Sequence, residues 1–201
     1  MPLIKSSTPT PPSPPADTPP RLDDPAPAAR RRAAHALADH PDAAPALCAR
    51  LAHETDAAVR EAILTVLVRI GSAEAAAGLF PYLASEDTAL RNAVIETLQQ
   101  MPPDAAAPHV EAFLDNPDSD VRIFTVQLAA RLAHPRRIDW LSRAIERDSH
   151  VNVCLAALEG LVEIGRPDVL PILERLRARF PDDPVVAFSV DAARRRFQAG
   201  A

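Results

Sequence analysis

Lysine is all but missing from this chain: Lys5 stands alone, and every other basic side chain is an arginine or one of six histidines. Twenty-two Lys and Arg face 27 Asp and Glu, a net charge of -5, which argues against a nucleic-acid binder that must gather positive potential along a phosphate backbone. Glycine is scarce too, at five residues, so there is no Gly-rich phosphate loop and no Gly-x-Ser-x-Gly elbow. Aromatic residues make up only 4%, too few for a sheet sandwich. Cys48 and Cys154 lie more than 100 residues apart in no Cys-x-x-Cys pair, and both fall on apolar helical positions, so buried free thiols in a reducing compartment are expected. No apolar run reaches the length of a signal peptide or a membrane span, which makes a cytoplasmic protein the expectation.

What the chain does have is alanine, leucine and proline. Nine of the 22 prolines fall within residues 1–25, among Ser, Thr and Asp. Such a segment buries no apolar surface and is expected to be a disordered, polyproline-like arm. The domain proper is expected over residues 26–198, where the chain repeats itself. Leu79, Val110, Leu141 and Ile172 recur every 31 residues, and a second ladder runs through Val59, Leu90, Val121 and Val153 at steps of 31, 31 and 32. Two registers with one period give a unit of two elements.

Both elements read as helices. In "VREAILTVLVRIG" the apolar residues Val59, Ala62, Ile63, Val66, Leu67 and Ile70 form one stripe of helical period. Gly71 and Gly165 stand where a helix would close with positive φ. Asp56, Asp87 and Asp118, each three residues before a ladder position, are placed as N-caps. A helix pair of this size cannot close its own core, so the pairs must stack. The predicted fold is all-α, a right-handed α-α superhelix of about five helix pairs, the first starting near Ala29, with a C-terminal capping helix over Val185 to Phe197.

The units "DAAVREAILTVLVRIGSAEAAAGLFPYL", "DTALRNAVIETLQQMPPDAAAPHVEAFL" and "DSDVRIFTVQLAARLAHPRRIDWLSRAI" resemble HEAT repeats of the short bacterial type named after phycobilisome lyase subunits. Asp-x-x-Val-Arg stands in the second and fourth units, Leu90-Arg91 replaces Val-Arg in the third, and in the fifth His150 and Cys154 take the aspartate and arginine places. The resemblance implies a solenoid that binds other molecules along its concave face. The main expectation is a non-catalytic scaffold or adaptor for another protein. The alternative is an accessory or chaperone-like subunit in bilin-type cofactor attachment or protein maturation.

HEAT-like deoxyhypusine hydroxylases hold iron between several His-Glu pairs, but His53-Glu54 is the only such dipeptide here, and its repeat siblings are Ala84-Ser85, Asp115-Asn116 and Arg147-Asp148. An iron oxygenase is therefore disfavoured, and no metal, cofactor or catalytic residue is expected. The arginine runs at 29–33, 135–138, 175–179 and 193–197 are interspersed with acids and read as solvated faces. Arg60, Arg91 and Arg122 are expected to meet an aspartate of the following unit. Finally, the resemblance places the second helix of each unit on the concave face, where Tyr82, His109, Trp140, Arg143 and Arg175 would form a partner-binding patch. For Trp140 packing in the core is the equal alternative.

Overall fold

The computed structural model describes residues 21–199, and among these every regular element is a helix. Residues 1–20 of the expected arm lie outside the described residues. Five antiparallel pairs follow one another: α1 (Pro27–Ala36) with α2 (Ala44–Leu51), α3 (Ala57–Ile70) with α4 (Ala73–Leu79), α5 (Thr88–Gln100) with α6 (Pro103–Phe113), α7 (Ser119–Arg131) with α8 (Arg137–Arg147), and α9 (Val151–Ile164) with α10 (Leu170–Arg179). A last helix, α11 (Pro184–Ala199), closes the stack, and a 3-10 turn over Phe80–Ala84 prolongs α4. The expected all-α solenoid of five pairs and a terminal helix is what the chain forms.

Local chemistry sets the boundaries. The Asp56 carboxylate accepts from the backbone N–H of Ala58 and Val59, Asp87 from Leu90, and Asp118 from Asp120, satisfying donors that a helix start leaves bare. Gly71 and Gly165 end α3 and α9 at φ of 59° and 77°, the left-handed conformation in which a side chain would be strained. His150, standing in the aspartate place, accepts no N–H of α9 through its side chain. Asp183 resumes the pattern, accepting from Val185 and Val186, so α11 is the first helix of a sixth unit.

One core runs the length of the stack. Val59, Val121, Val153 and Val186 are sealed from solvent, with Leu90 nearly so, which extends the ladder one unit beyond the sequence-level reading. The helices that carry it approach closely through small residues. A Cβ added at Gly160 of α9 would sit 2.7 Å from the Ala130 Cβ of α7. Gly160→Ala is therefore expected to lower the melting temperature followed by circular dichroism, because overpacking of about 1–3 kcal/mol outweighs a helix-propensity gain of about 1 kcal/mol. An Ala variant that melted higher than the parent would show that α7 and α9 have room to part.

On the other row rings separate the helices. The Phe80 ring lies 4.9 Å from that of Phe113 and 5.4 Å from His109, and Trp140 is packed just beyond. Close approach also occurs on this row, where a Cβ added at Gly78 of α4 would sit 2.5 Å from the Cys48 Sγ of α2.

Candidate functional site

Each of the five residues expected to form a partner-binding patch reaches back to the preceding unit. The Tyr82 hydroxyl donates to the Cys48 carbonyl at 2.9 Å, and His109 Nε2 lies 3.3 Å from the Ala73 carbonyl. The Trp140 indole donates to Glu111 Oε1 at 3.2 Å, Arg143 holds both Asp115 oxygens at 2.6 and 2.7 Å, and Arg175 meets Glu146 at 2.7 Å. Trp140 is only 2% exposed, its ring stacked on His134 at 4.7 Å, so the core alternative holds for it. Tyr82, His109 and Arg143 are half-buried and Arg175 is exposed, so these side chains staple neighbouring units along their seams.

The arginine ladder does a related task with a common rule. Arg30 donates to the carbonyl of Asp24, Arg60 to Glu54, Arg91 to Ser85 and Arg122 to Asn116, in each case six residues back, at 2.7–2.9 Å. The guanidinium thereby ties down the loop that leads into its own helix. Its remaining donors reach the next unit: Arg60 meets Asp87 at 2.7 Å, as expected, and Arg122 grips Asp148 at 2.7 and 3.0 Å. Arg91 meets no such acid. It lies over the Phe124 ring at 4.7 Å, because that unit carries an aromatic where the guanidinium projects.

Arg30 belongs to this ladder, which its place in "ARRRA" concealed. It is buried, against the expectation of a solvated face, and grips Glu54 with two bonds of 2.8 Å. Glu54 also accepts from Arg50 and from the backbone N–H of Thr55 and Asp56. Its oxygens are thus fully engaged, while the neighbouring His53 is exposed. The Arg30 guanidinium, helped by these other donors, holds the Glu54 carboxyl down at about 2. The pair read as a variable loop is half structural hub. Among the described residues no cluster of three His, Cys, Asp or Glu side chains is placed to hold a metal.

At Cys154 the ladder has no guanidinium, and Arg179 of α10 supplies one. Arg179 Nη2 donates to the Asp148 carbonyl, six residues before Cys154, at 2.6 Å, and Nη1 also bonds the Ile145 carbonyl. The Cys154 thiol lies 3.4 Å from the same Asp148 carbonyl. Burial pushes both thiols up, Cys48 to about 11, so neither is a ready nucleophile.

On the first-helix row hollows lie between α3 and α5, across α5, α7 and α9, and across α7, α9 and α11. Of the five expected residues, Arg143 lines a separate hollow with Asp115 and Arg147, and Arg175 another with Glu146 and Arg179. One groove-facing repeat position reads Glu61, Asn92, Ile123, Leu155 and Phe188 along the stack, polar at one end and apolar at the other. The signal was present in the sequence, in the residue just after Arg60, Arg91 and Arg122 and after Cys154 and Ala187, which take the arginine place.

Stacked helix pairs of one repeat length and one continuous core define an α-solenoid repeat protein. A family model for HEAT repeats matches residues 20–99, 44–127 and 107–193, and the chain belongs to that family. It is similar to the bilin biosynthesis protein PecE of Mastigocladus laminosus, 31% identical over 157 residues that cover 76% of this chain and 57% of that protein. PecE of Nostoc sp. (strain PCC 7120 / SAG 25.82 / UTEX 2576) is 30% identical over 128 residues, 63% of this chain and 50% of that protein. The chain spans about half the length of the curated relatives it matches. Among solved structures, the complex of CpcE and CpcF of phycocyanin lyase from Nostoc sp. PCC7120 is similar at 20% identity and a TM-score of 0.34, over 85% of this chain and 73% of that one. An engineered protein is similar at 16% identity and a TM-score of 0.35, over 90% and 94%. Among the described residues no helix is long and apolar enough to cross a membrane.

Proposed function

We propose that this chain is an accessory subunit in the attachment of a bilin to its carrier protein, or in the maturation of that carrier, and that it works by binding the protein along the row of α3, α5, α7, α9 and α11. The observation that carries this reading is the 31% identity to a bilin biosynthesis protein across 76% of the chain. An accessory role thus takes precedence over a scaffold of no particular pathway. Binding and presentation, without a bond-making step by its own side chains, fit thiols held protonated by burial and carboxylates engaged in the seams. Tyr82, His109, Trp140, Arg143 and Arg175 serve this function by keeping the units in register.

The test is a pull-down of the tagged chain from its native cells, read by the visible absorption of the captured fraction. A linear-tetrapyrrole band is expected with the captured carrier, and a strain lacking the gene should hold less chromophore per carrier. A colourless capture together with an unchanged chromoprotein spectrum in that strain would overturn the reading.

A further inference from the structure

The apolar end of the first-helix row carries an exposed strip. Among the described residues, Val185 and Phe188 of α11 are the large apolar side chains left exposed, at 55% and 68%. The inner face of α11 is already satisfied, with Val186, Val190 and Ala193 sealed against the units behind. Phe188 occupies the repeat position of Ile123 and Leu155, so it faces the groove as they do, and the three line one hollow with Val162. A soluble surface rarely keeps such a strip bare without use for it.

Next to this strip the charge changes. The adjoining hollow is bordered by Glu96, Glu159 and Glu163 against a single arginine, Arg131, and Glu159 borders both hollows. The three carboxylates are exposed and take part in no ion pair among the described residues, unlike the seam acids Glu54, Asp87, Asp115 and Asp148. Arg196 stands at the far rim of the apolar hollow. An apolar strip flanked along one side by free carboxylates is complementary to a helix with an apolar stripe and a basic flank.

We propose that the hollow formed by α7, α9 and α11 docks an amphipathic helix of the partner protein, its apolar stripe on Leu155, Val185 and Phe188 and its Lys and Arg residues against Glu96, Glu159 and Glu163. The proposal rests on the protein-binding half of the function above and not on bilin chemistry. It also separates the two ligands such a subunit could meet, because the carboxylates of a linear tetrapyrrole would be repelled where a basic helix is attracted.

The probe is a fluorescein-labelled synthetic helix of about 18 residues, roughly 27 Å long, with leucines at helical spacing and lysines beside them, titrated with the full chain and followed by anisotropy. Saturable binding is expected. The same peptide with glutamate for every lysine should bind at least about tenfold more weakly, and rising salt should weaken the basic peptide alone. Val185→Asp with Phe188→Asp should weaken binding about tenfold or more, and Glu159→Lys with Glu163→Lys should reverse the preference for basic peptide. All four positions are exposed, so unchanged circular dichroism and melting are expected for the variants. No saturable binding, equal binding of the two peptides, or a self-association of the chain that V185D/F188D abolishes would overturn the proposal; the last outcome assigns the strip to a second copy. Peptide binding together with a colourless pull-down would leave the docking site standing and sink only the bilin reading.

Discussion

Replacing Glu54 with alanine is expected to destabilise the chain by about 3–5 kcal/mol and to lower its melting temperature by roughly 10 °C, the largest effect of any single acidic residue here. The carboxylate is 1% exposed and sits between Arg30, itself buried, and Arg50, with two backbone N–H groups completing its shell. Deleting it leaves a guanidinium buried without its counter-charge, which costs far more than the pair contributes. His53→Ala, one residue away but exposed, should stay within about 0.5 kcal/mol. The sign of the pH effect follows from the depressed carboxyl. Its folded-state value of about 2 lies below the ordinary 4.5, so the contribution is fully present above pH 4.5 and is lost as pH falls towards 2. Glu54→Gln should therefore remove part of the acid sensitivity of unfolding between those limits. Equal melting of E54A and H53A in the thermal scan would show that the triad is dispensable.

Trp140→Ala is the second large effect, about 3–5 kcal/mol, from the cavity left where a 2% exposed indole packed and from the loss of its stack with His134. Phe at this position should cost much less, since it keeps the ring and loses the bond to Glu111. Trp140 is also the single tryptophan of the chain, so its emission reports directly on the seam between α6 and α8. A blue-shifted maximum that does not move when the partner is added is the expected result. A maximum near that of free indole, or quenching by partner, would put the ring back on the surface as a contact residue.

These two residues mark where sequence reasoning ran well and where it stopped. Caps, left-handed closing glycines and the apolar ladders are local, with donor and acceptor within three or four residues, so Asp56, Asp87, Gly71 and Val121 could be placed from spacing alone. The seams are not local. Arg30 meets Glu54 across 24 residues and Arg175 meets Glu146 across 29, and each choice of partner depends on the angle at which one pair stacks on the next. The close approaches of Gly160 to Ala130 and of Gly78 to Cys48 were not legible for a related reason: each is a comparison between helices and not within one. The groove column Glu61, Asn92, Ile123, Leu155 and Phe188 was legible as a repeat position, but the hollows it borders lie between units.

Arg179 makes the fifth unit unlike the others in a way that bears on assembly. Units one to four fasten their own loops with a side chain from the helix that follows at once, so each can set its entry turn as soon as that helix winds. The Asp148 carbonyl at the entry to α9 is met by the Cys154 thiol of α9 itself and by a guanidinium from α10, 31 residues downstream. Loosening α10 is therefore expected to loosen the entry to α9, the middle helix of the docking hollow, while the N-terminal units keep their own fastenings.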